Sequence, residues 1–385
     1  MTKANSPHEQ FNVVIVGGGV AAVEATLALR ELGGEHLATT ILAPDPEFVY
    51  RPMTVREPFA YATAQRYALG PIARDLGAEL RNDRFKWLDA EGRVVHTDGG
   101  EALSYDALLL ALGARPYARY PHALTIDDKR IDEQLHGLIQ DIEGGYVRSL
   151  AIVIPSGHAW PLPAYELALM TAQRAYDASA DLDITIATPE DSPLAIFGQG
   201  ASERIGKLLA DRGITTITSA HCEVPDGRHV TVHAGRHQIE VDRVIALPEL
   251  HGPSAAGVPT GARGGFIPVD MHCKVRGLEA VYAAGDATDF AIKFGGIAAQ
   301  QADTAAQAIA ALAGLATKPA PFHPVIHAML LTGEEPLYLS AHVTGGHGSS
   351  SQLTETAAWS PPTKIAAKYL APYLQELDRV AGDPR

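Results

Sequence analysis

Gly17, Gly19 and Ala22 stand in a spacing that suits one task, and Asp286 suits a second, almost the whole chain away. The apolar run Val13-Val14-Ile15-Val16 leads into Gly17-Gly18-Gly19-Val20-Ala21-Ala22. This reads as a buried parallel strand, a tight turn and a helix start. Gly17 permits the turn, Gly19 lets the backbone approach a pyrophosphate, and Ala22 allows the helix to pack closely on the strand. The free N–H groups and positive dipole end of that helix then face the phosphates. Far downstream, Val281-Tyr282-Ala283-Ala284 runs into Gly285-Asp286-Ala287. It is a second apolar strand, ending where a carboxylate can accept hydrogen bonds from a ribityl chain. The glycine turn by itself suits several dinucleotides. Paired with the distant Gly285-Asp286 it points to FAD rather than NAD, and so to redox chemistry.

These residues need elements to hold them. Val20 to Leu32 reads as a helix ended by Gly33-Gly34, and Ala38 to Ala43 as the next strand. An acid at the end of that strand usually holds the adenosine ribose. Here the strand runs into Ala43-Pro44-Asp45, so Asp45 is the candidate, and a ribose held otherwise is the alternative. Pro44, Pro46, Pro52 and Pro58 mark an irregular segment from Pro44 to Phe59. It is longer than a plain connector, and such segments are often functional. It includes Tyr50-Arg51-Pro52, an aromatic and a cation that could face the flavin. Tyr105 to Leu112 is a continuous apolar strand that exits through Gly113-Ala114-Arg115-Pro116. With Ala111 and Gly113, this exit resembles the small-residue crossing where an FAD domain hands the chain to its neighbour. The alternative is an ordinary strand end.

A second strand–helix alternation begins near Ser149. Leu150 to Ile154, Leu182 to Ala187, Ile214 to Ser219 and Glu240 to Leu247 read as strands, and Ala164 to Tyr176 and Ala201 to Arg212 as helices. The expected fold is α/β: two Rossmann-like, doubly wound, three-layer domains with a short C-terminal region. Residues 10–118 and 263–318 are expected to form the FAD-binding domain, 119–262 a second Rossmann-like domain without a GxGxxG loop, and 319–385 the C-terminal region. The last has little pattern before a final helix, where Ile365, Tyr369, Tyr373 and Leu377 recur at four-residue steps. Pro372 is expected to kink or break that helix.

The bulk numbers fit a globular enzyme. The 385 residues exceed one ordinary core, and 46% hydrophobic with 20% charged is an ordinary composition. A formal net charge of −14 argues against nucleic acid and against a basic membrane-docking surface. Two cysteines are no disulfide framework. The stretch Met1 to Gln10 is polar and carries no signal-type apolar segment, and no run approaches the ~18 apolar residues of a membrane span. A cytoplasmic protein is expected, with peripheral contact on the inner membrane face and a homodimer both open. The 16 histidines form no metal pattern, since Pro324 separates His323 from His327 and no HExxH is present. No GxSxG elbow supports a hydrolase.

Over nearly its whole length the chain resembles the FAD-dependent pyridine nucleotide–disulfide oxidoreductase superfamily. Phe48-Val49-Tyr50-Arg51-Pro52, Thr188-Pro189-Glu190 and Pro163-Ala164-Tyr165-Glu166 are similar to the branch of sulfide:quinone oxidoreductases and flavocytochrome c sulfide dehydrogenases, with type II NADH dehydrogenases as cousins. The resemblance implies an N-terminal FAD domain, an inserted second Rossmann-like domain and a C-terminal region near a quinone site, where the tail guards the pocket, touches the membrane or docks on the protein's own core. Two departures stand out. Where NAD(P)H-using relatives carry GxGxxG, this chain has Ile154-Pro155-Ser156-Gly157-His158-Ala159-Trp160-Pro161-Leu162-Pro163, and three prolines with a Trp cannot surround a pyrophosphate with N–H groups. Sulfide-oxidising relatives use two cysteines beside the flavin, one of them in this turn. Here Trp160 lies at about that place, and the cysteines are Cys222 and Cys273.

The resemblance also places the helix that starts at Gly295-Gly296-Ile297 against the flavin. A helix N-terminus there stabilises the negative charge of a reduced flavin, and Lys293 could add a full positive charge; the alternative is a solvated surface lysine. Trp160, Pro161, Pro163, Tyr165 and Glu166 are expected on the opposite side of the ring, with Trp160 stacking there or simply packing the interdomain core, and Glu166 as a proton relay or merely a first-turn helix acid. The overall expectation is an FAD-dependent oxidoreductase that takes electrons from a small-molecule donor and passes them to an acceptor, expected to be a quinone. Two alternatives stay open: NAD(P)H oxidation through an atypical nicotinamide site, and a flavin-binding sensor or assembly protein without turnover.

Overall fold

The computed structural model describes residues 10–60, 63–233, 237–262, 264–344 and 347–382. Its centre is a five-stranded sheet in the order Val281–Ala283, Ala107–Leu110, Phe11–Val16, Leu37–Leu42, Glu79–Arg81, parallel throughout. Both faces are covered, which is why these strands read as unbroken apolar runs. Val13, Ile15 and Leu109 point into a core shared with helices Val20–Gly33 and Gly295–Leu312. Val14, Val16, Leu108 and Leu110 point the other way, onto Leu88 and Val95, which belong to a three-stranded antiparallel sheet (Phe85–Asp89, Val94–Thr97, Ala102–Ser104). The strand Val281–Ala283 completes the sheet from a distant part of the sequence.

A second five-stranded parallel sheet has the order Leu124–Thr125, Arg243–Ala246, Ser149–Val153, Asp183–Ala187, Ile214–Ile217. Helices Ile131–Glu143, Leu162–Asp177 and Gln199–Asp211 supply apolar residues to one face, through Ile131, Leu135, Leu169 and Ile205. The other face, carrying Ala151 and Val153, packs on Val224 and Val230 of the antiparallel strands Cys222–Asp226, His229–Val232 and His237–Glu240. Each unit is thus three layers: helices, parallel sheet, small antiparallel sheet.

The C-terminal region corrects the expectation of little pattern. Val325–Leu330, Leu337–Thr344 and His347–Thr354 form an antiparallel sheet. Ile326, Ala328, Leu330, Leu339 and Ala341 are buried in the core of the second unit. Their partners in the alternation are His, Met, Ser and Tyr, half polar and half apolar, which blurred the period of two. The last helix spans Leu370–Gly382, so it begins after Ile365. Pro372 therefore falls in its first turn, where its missing N–H is not needed and it breaks nothing. Leu370, Ala371 and Leu374 pack on Phe48, Leu69, Ile72 and Ala73, so the helix docks on the protein's own core. No helix among the described residues is long and apolar enough to cross a membrane.

Candidate active site

The glycine turn sits where Phe11–Val16 meets the end of Ala107–Leu110. Gly17 adopts φ +130°, and a Cβ on it would lie 2.2 Å from the carbonyl oxygen of Ala111. Its N–H donates to Leu42 O at 2.9 Å, and Ala111 N donates to Val16 O at 2.8 Å. Gly19 differs: a Cβ there would meet nothing within 4 Å. It faces open space in front of helix Val20–Gly33, whose start has no side-chain cap. Ala22 is fully buried against the sheet. Open space, free N–H groups and a positive dipole end coincide at this one point.

The second half of the site follows Val281–Ala283. Gly285 N donates to Gln301 Oε1 at 2.8 Å and Thr288 Oγ1 donates to Gly285 O at 2.9 Å, which fixes the loop. Surrounding protein pushes the Asp286 carboxyl up to about 6, partly offset by the Lys293 charge. The side chain nevertheless keeps accessible surface. A desolvated carboxylate on a residue that keeps some accessible surface, together with the open space at Gly19, fits a bound dinucleotide with its ribityl chain at Asp286. Lys293 is 3% exposed, so it is not a solvated surface lysine. Its Nζ donates to Thr288 O and sits 3.6 Å from the Phe266 ring centre. Burial pulls its ammonium down to about 8, against the attraction of Asp286.

The remaining candidates come from other segments of the chain. Gly113 has φ +69° just past the strand end. Arg51 is exposed and Pro52 half-buried at the start of the 3-10 segment Arg51–Phe59; the Arg51 charge acts on Asp286. Asp45 is exposed, 3.7 Å from Lys129. At the helix start Gly295–Leu312, a Cβ on Gly295 would lie 2.9 Å from Ile365 Cδ1 and one on Gly296 2.9 Å from the Phe294 ring. Gly295 thus makes room for the C-terminal segment. Ile297 is buried beside them.

Trp160 is half-buried and packs on Phe294, with ring centres 4.8 Å apart, and on Phe197. Tyr165 faces the core and not a substrate face. It is fully buried, and its hydroxyl donates to Glu190 Oε2 at 2.7 Å. Glu166 does not open its helix, which starts at Leu162. It is 1% exposed, its Oε2 lies 2.8 Å from Lys364 Nζ, itself 3% exposed, and its Oε1 accepts from Leu331 N at 3.0 Å. Burial raises the Glu166 carboxyl and lowers the Lys364 ammonium, each held back by its partner. Lys364 escaped sequence reasoning, since a lysine before Ile365-Ala366-Ala367 signals nothing by itself. Asp128 escaped too. It is exposed, and the charges of Arg51 and Lys364 act on its carboxyl.

In the second unit Glu190 follows strand Asp183–Ala187 at the place where a ribose acid stands in nucleotide-binding folds. Here the carboxylate is taken by Tyr165 and by Thr188 Oγ1, at 2.9 Å. Cys222 belongs to the outer antiparallel layer of this unit, whereas Cys273 is buried in the first unit. Burial pushes their thiols up to about 11 and about 12, so both are protonated and weakly nucleophilic at neutral pH. A Cys222→Ser, Cys273→Ser double variant is expected to keep its flavin spectrum and acceptor-reducing activity, and sulfide to bleach either form little. Fast bleaching of the wild type that the double variant loses would mark a relocated redox pair. Among the described residues no group of three His, Cys, Asp or Glu is placed to hold a metal.

Two parallel-sheet units, an open glycine turn at Gly19 and the Gly285-Asp286 loop are the features of a flavin-dependent oxidoreductase. The chain belongs to the pyridine nucleotide-disulphide oxidoreductase family, whose model matches residues 11–310, and FAD is its cofactor. It is 25% identical over 328 residues to the oxidoreductase ptaL of Pestalotiopsis fici, covering 80% of this chain and 85% of the relative. It is 27% identical over 295 residues to an NADH dehydrogenase-like protein of Mycobacterium tuberculosis, covering 71% and 72%. The structure of the sulfide:quinone oxidoreductase from Aquifex aeolicus superposes with a TM-score of 0.80 at 19% identity, over 96% of this chain and 90% of that one. That likeness shows a shared fold.

Proposed function

We propose that the chain oxidises a small-molecule donor other than NAD(P)H and passes the electrons through FAD to a quinone. The observation that carries this is the buried Glu166–Lys364 pair, which joins the second unit to the C-terminal segment. When bound, FAD supplies the two-electron step. A quinone also takes up two protons, and a site closed to water must deliver them from side chains. Glu166 and Lys364 are driven toward each other in proton affinity by burial, which suits a pair that hands a proton on. The N–H groups ahead of Val20 and the Asp286 carboxylate would hold the cofactor, Lys293 would tune its charge, and Trp160 would exclude water. The fold shared with a sulfide:quinone oxidoreductase supports a quinone as acceptor.

Against NAD(P)H stand the turn from Pro155 to Pro163 and the occupied Glu190 carboxylate. In anaerobic rapid mixing, NADH and NADPH should reduce the bound flavin slowly and without saturation. Rapid saturable reduction by micromolar NADH would replace this reading by that of an NADH-dependent enzyme. Enzyme reduced by dithionite should be reoxidised faster by a water-soluble quinone than by ferricyanide, and indifference to the quinone would remove it as the acceptor.

A further inference from the structure

Apart from the electron path, the chain closes on itself at two carboxyl groups. Glu24 lies in the second turn of helix Val20–Gly33 and is fully buried. Its two oxygens accept the backbone N–H groups of Tyr369, at 3.0 Å, and Leu370, where the C-terminal helix begins. The carboxylate therefore caps that helix from 345 residues away and complements its dipole. Asp303, on the neighbouring helix Gly295–Leu312, hydrogen-bonds to the same carboxyl. Its Oδ1 is buried without a partner among the described residues. Two carboxyls in contact cannot both ionise cheaply, and one proton between them satisfies both.

The segment held there carries the site's other attachments. Lys364 meets Glu166, Ile365 N donates to the Tyr50 hydroxyl at 2.8 Å, and the Ile365 side chain lies on Gly295. We propose that Glu24 and Asp303 share one proton and so latch residues 364–382 onto the flavin-binding unit, and that losing this proton releases the segment. The charged and titratable groups facing the pair are few. Glu24 comes from the first helix and Asp303 from the second. From the segment itself come Lys368, exposed and attracting both carboxylates, and Tyr369, whose hydroxyl accepts from Lys368 Nζ at 2.7 Å.

Desolvation and then Glu24 hold the Asp303 carboxyl up to about 8, against Lys368. An aspartate freed into water ionises near its ordinary value of 3.8. Closure therefore binds a proton that the released form does not. It is strongest in acid, weakens as pH rises and is lost through about 8. The latch is independent of which donor or acceptor the enzyme uses.

Hydrogen exchange on the FAD-loaded full chain between pH 6 and 9, corrected for intrinsic rates, tests this. Protection of residues 364–382 should fall about tenfold or more over that range. Asp303→Asn, neutral at every pH, should hold protection nearly constant. Glu24→Gln should lose it already at pH 6. A flat wild-type profile, or an Asp303→Asn profile that falls like the wild type, overturns the proposal. Should Asp303→Asn not fold, tryptic cleavage after the buried Lys364 in the wild type decides. Relative to an unstructured reference peptide, cleavage should quicken above pH 8, and a constant ratio overturns the latch.

Discussion

Gly17→Ala should yield little folded protein, whereas Gly19→Ile should yield folded protein without FAD. The two glycines are two residues apart and limit different things. At Gly17 a Cβ would stand 2.2 Å from a main-chain oxygen, and φ is +130°. The oxygen belongs to Ala111, at the end of a central strand, and cannot retreat. Backbone strain and overpacking together cost about 3–5 kcal/mol, a large share of a domain's net stability. At Gly19 the backbone is extended, with φ −92° and ψ −166°, and there is open space beyond it. Isoleucine fits there without strain, but its side chain fills the pyrophosphate's approach. Thermal melts with and without added FAD, together with the flavin absorbance of purified protein, separate the outcomes. A yellow Gly19→Ile protein would remove the cofactor from this turn. A Gly17→Ala protein of wild-type stability would contradict the packing against Ala111.

Breaking the Glu166–Lys364 pair should be nearly as costly, and mending it should restore stability without restoring turnover. Removing one partner leaves the other desolvated and unpaired, about 3–5 kcal/mol for a pair this buried. Lys364→Met should show that loss. Glu166→Gln keeps an acceptor for Leu331 N and should lose less. The double variant buries no charge, so it should be more stable than Lys364→Met alone, with a coupling of about 2 kcal/mol or more. Quinone reduction should nevertheless stay about 100-fold down in all three, since a proton donor is missing. Denaturant unfolding gives the first quantity, and reoxidation of the reduced enzyme by quinone gives the second. Full quinone activity in a stable double variant would reduce the pair to a structural tie.

The first sheet and its glycine turn could be read from the chain because their signals are short-range: apolar strands buried on both faces, then small residues in a fixed spacing. The strand–helix alternation of the second unit was legible for the same reason. The C-terminal sheet was not, because its inward residues alternate with methionine and tyrosine as well as serine and histidine. Lys364 was invisible because its meaning lies in Glu166, 198 residues earlier, and Glu24 because its partners begin 345 residues later. Tyr165 and Glu190 could be quoted as a pattern of residue types. That they face each other, closing the place of a ribose acid, required the fold.

The strand Val281–Ala283 also sets a timetable for biosynthesis. The second parallel sheet is drawn from one unbroken stretch and can close once Arg243–Ala246 has left the ribosome. The first sheet has most of its strands by Ala107–Leu110, yet it must wait for Val281–Ala283. At ~5–20 residues per second, the later-coded sheet closes seconds before the earlier-coded one, although the second unit's core is completed only by the C-terminal strands. Throughout that interval the half-built sheet holds Ala107–Leu110 as an open edge, the kind of surface that nascent-chain chaperones shield.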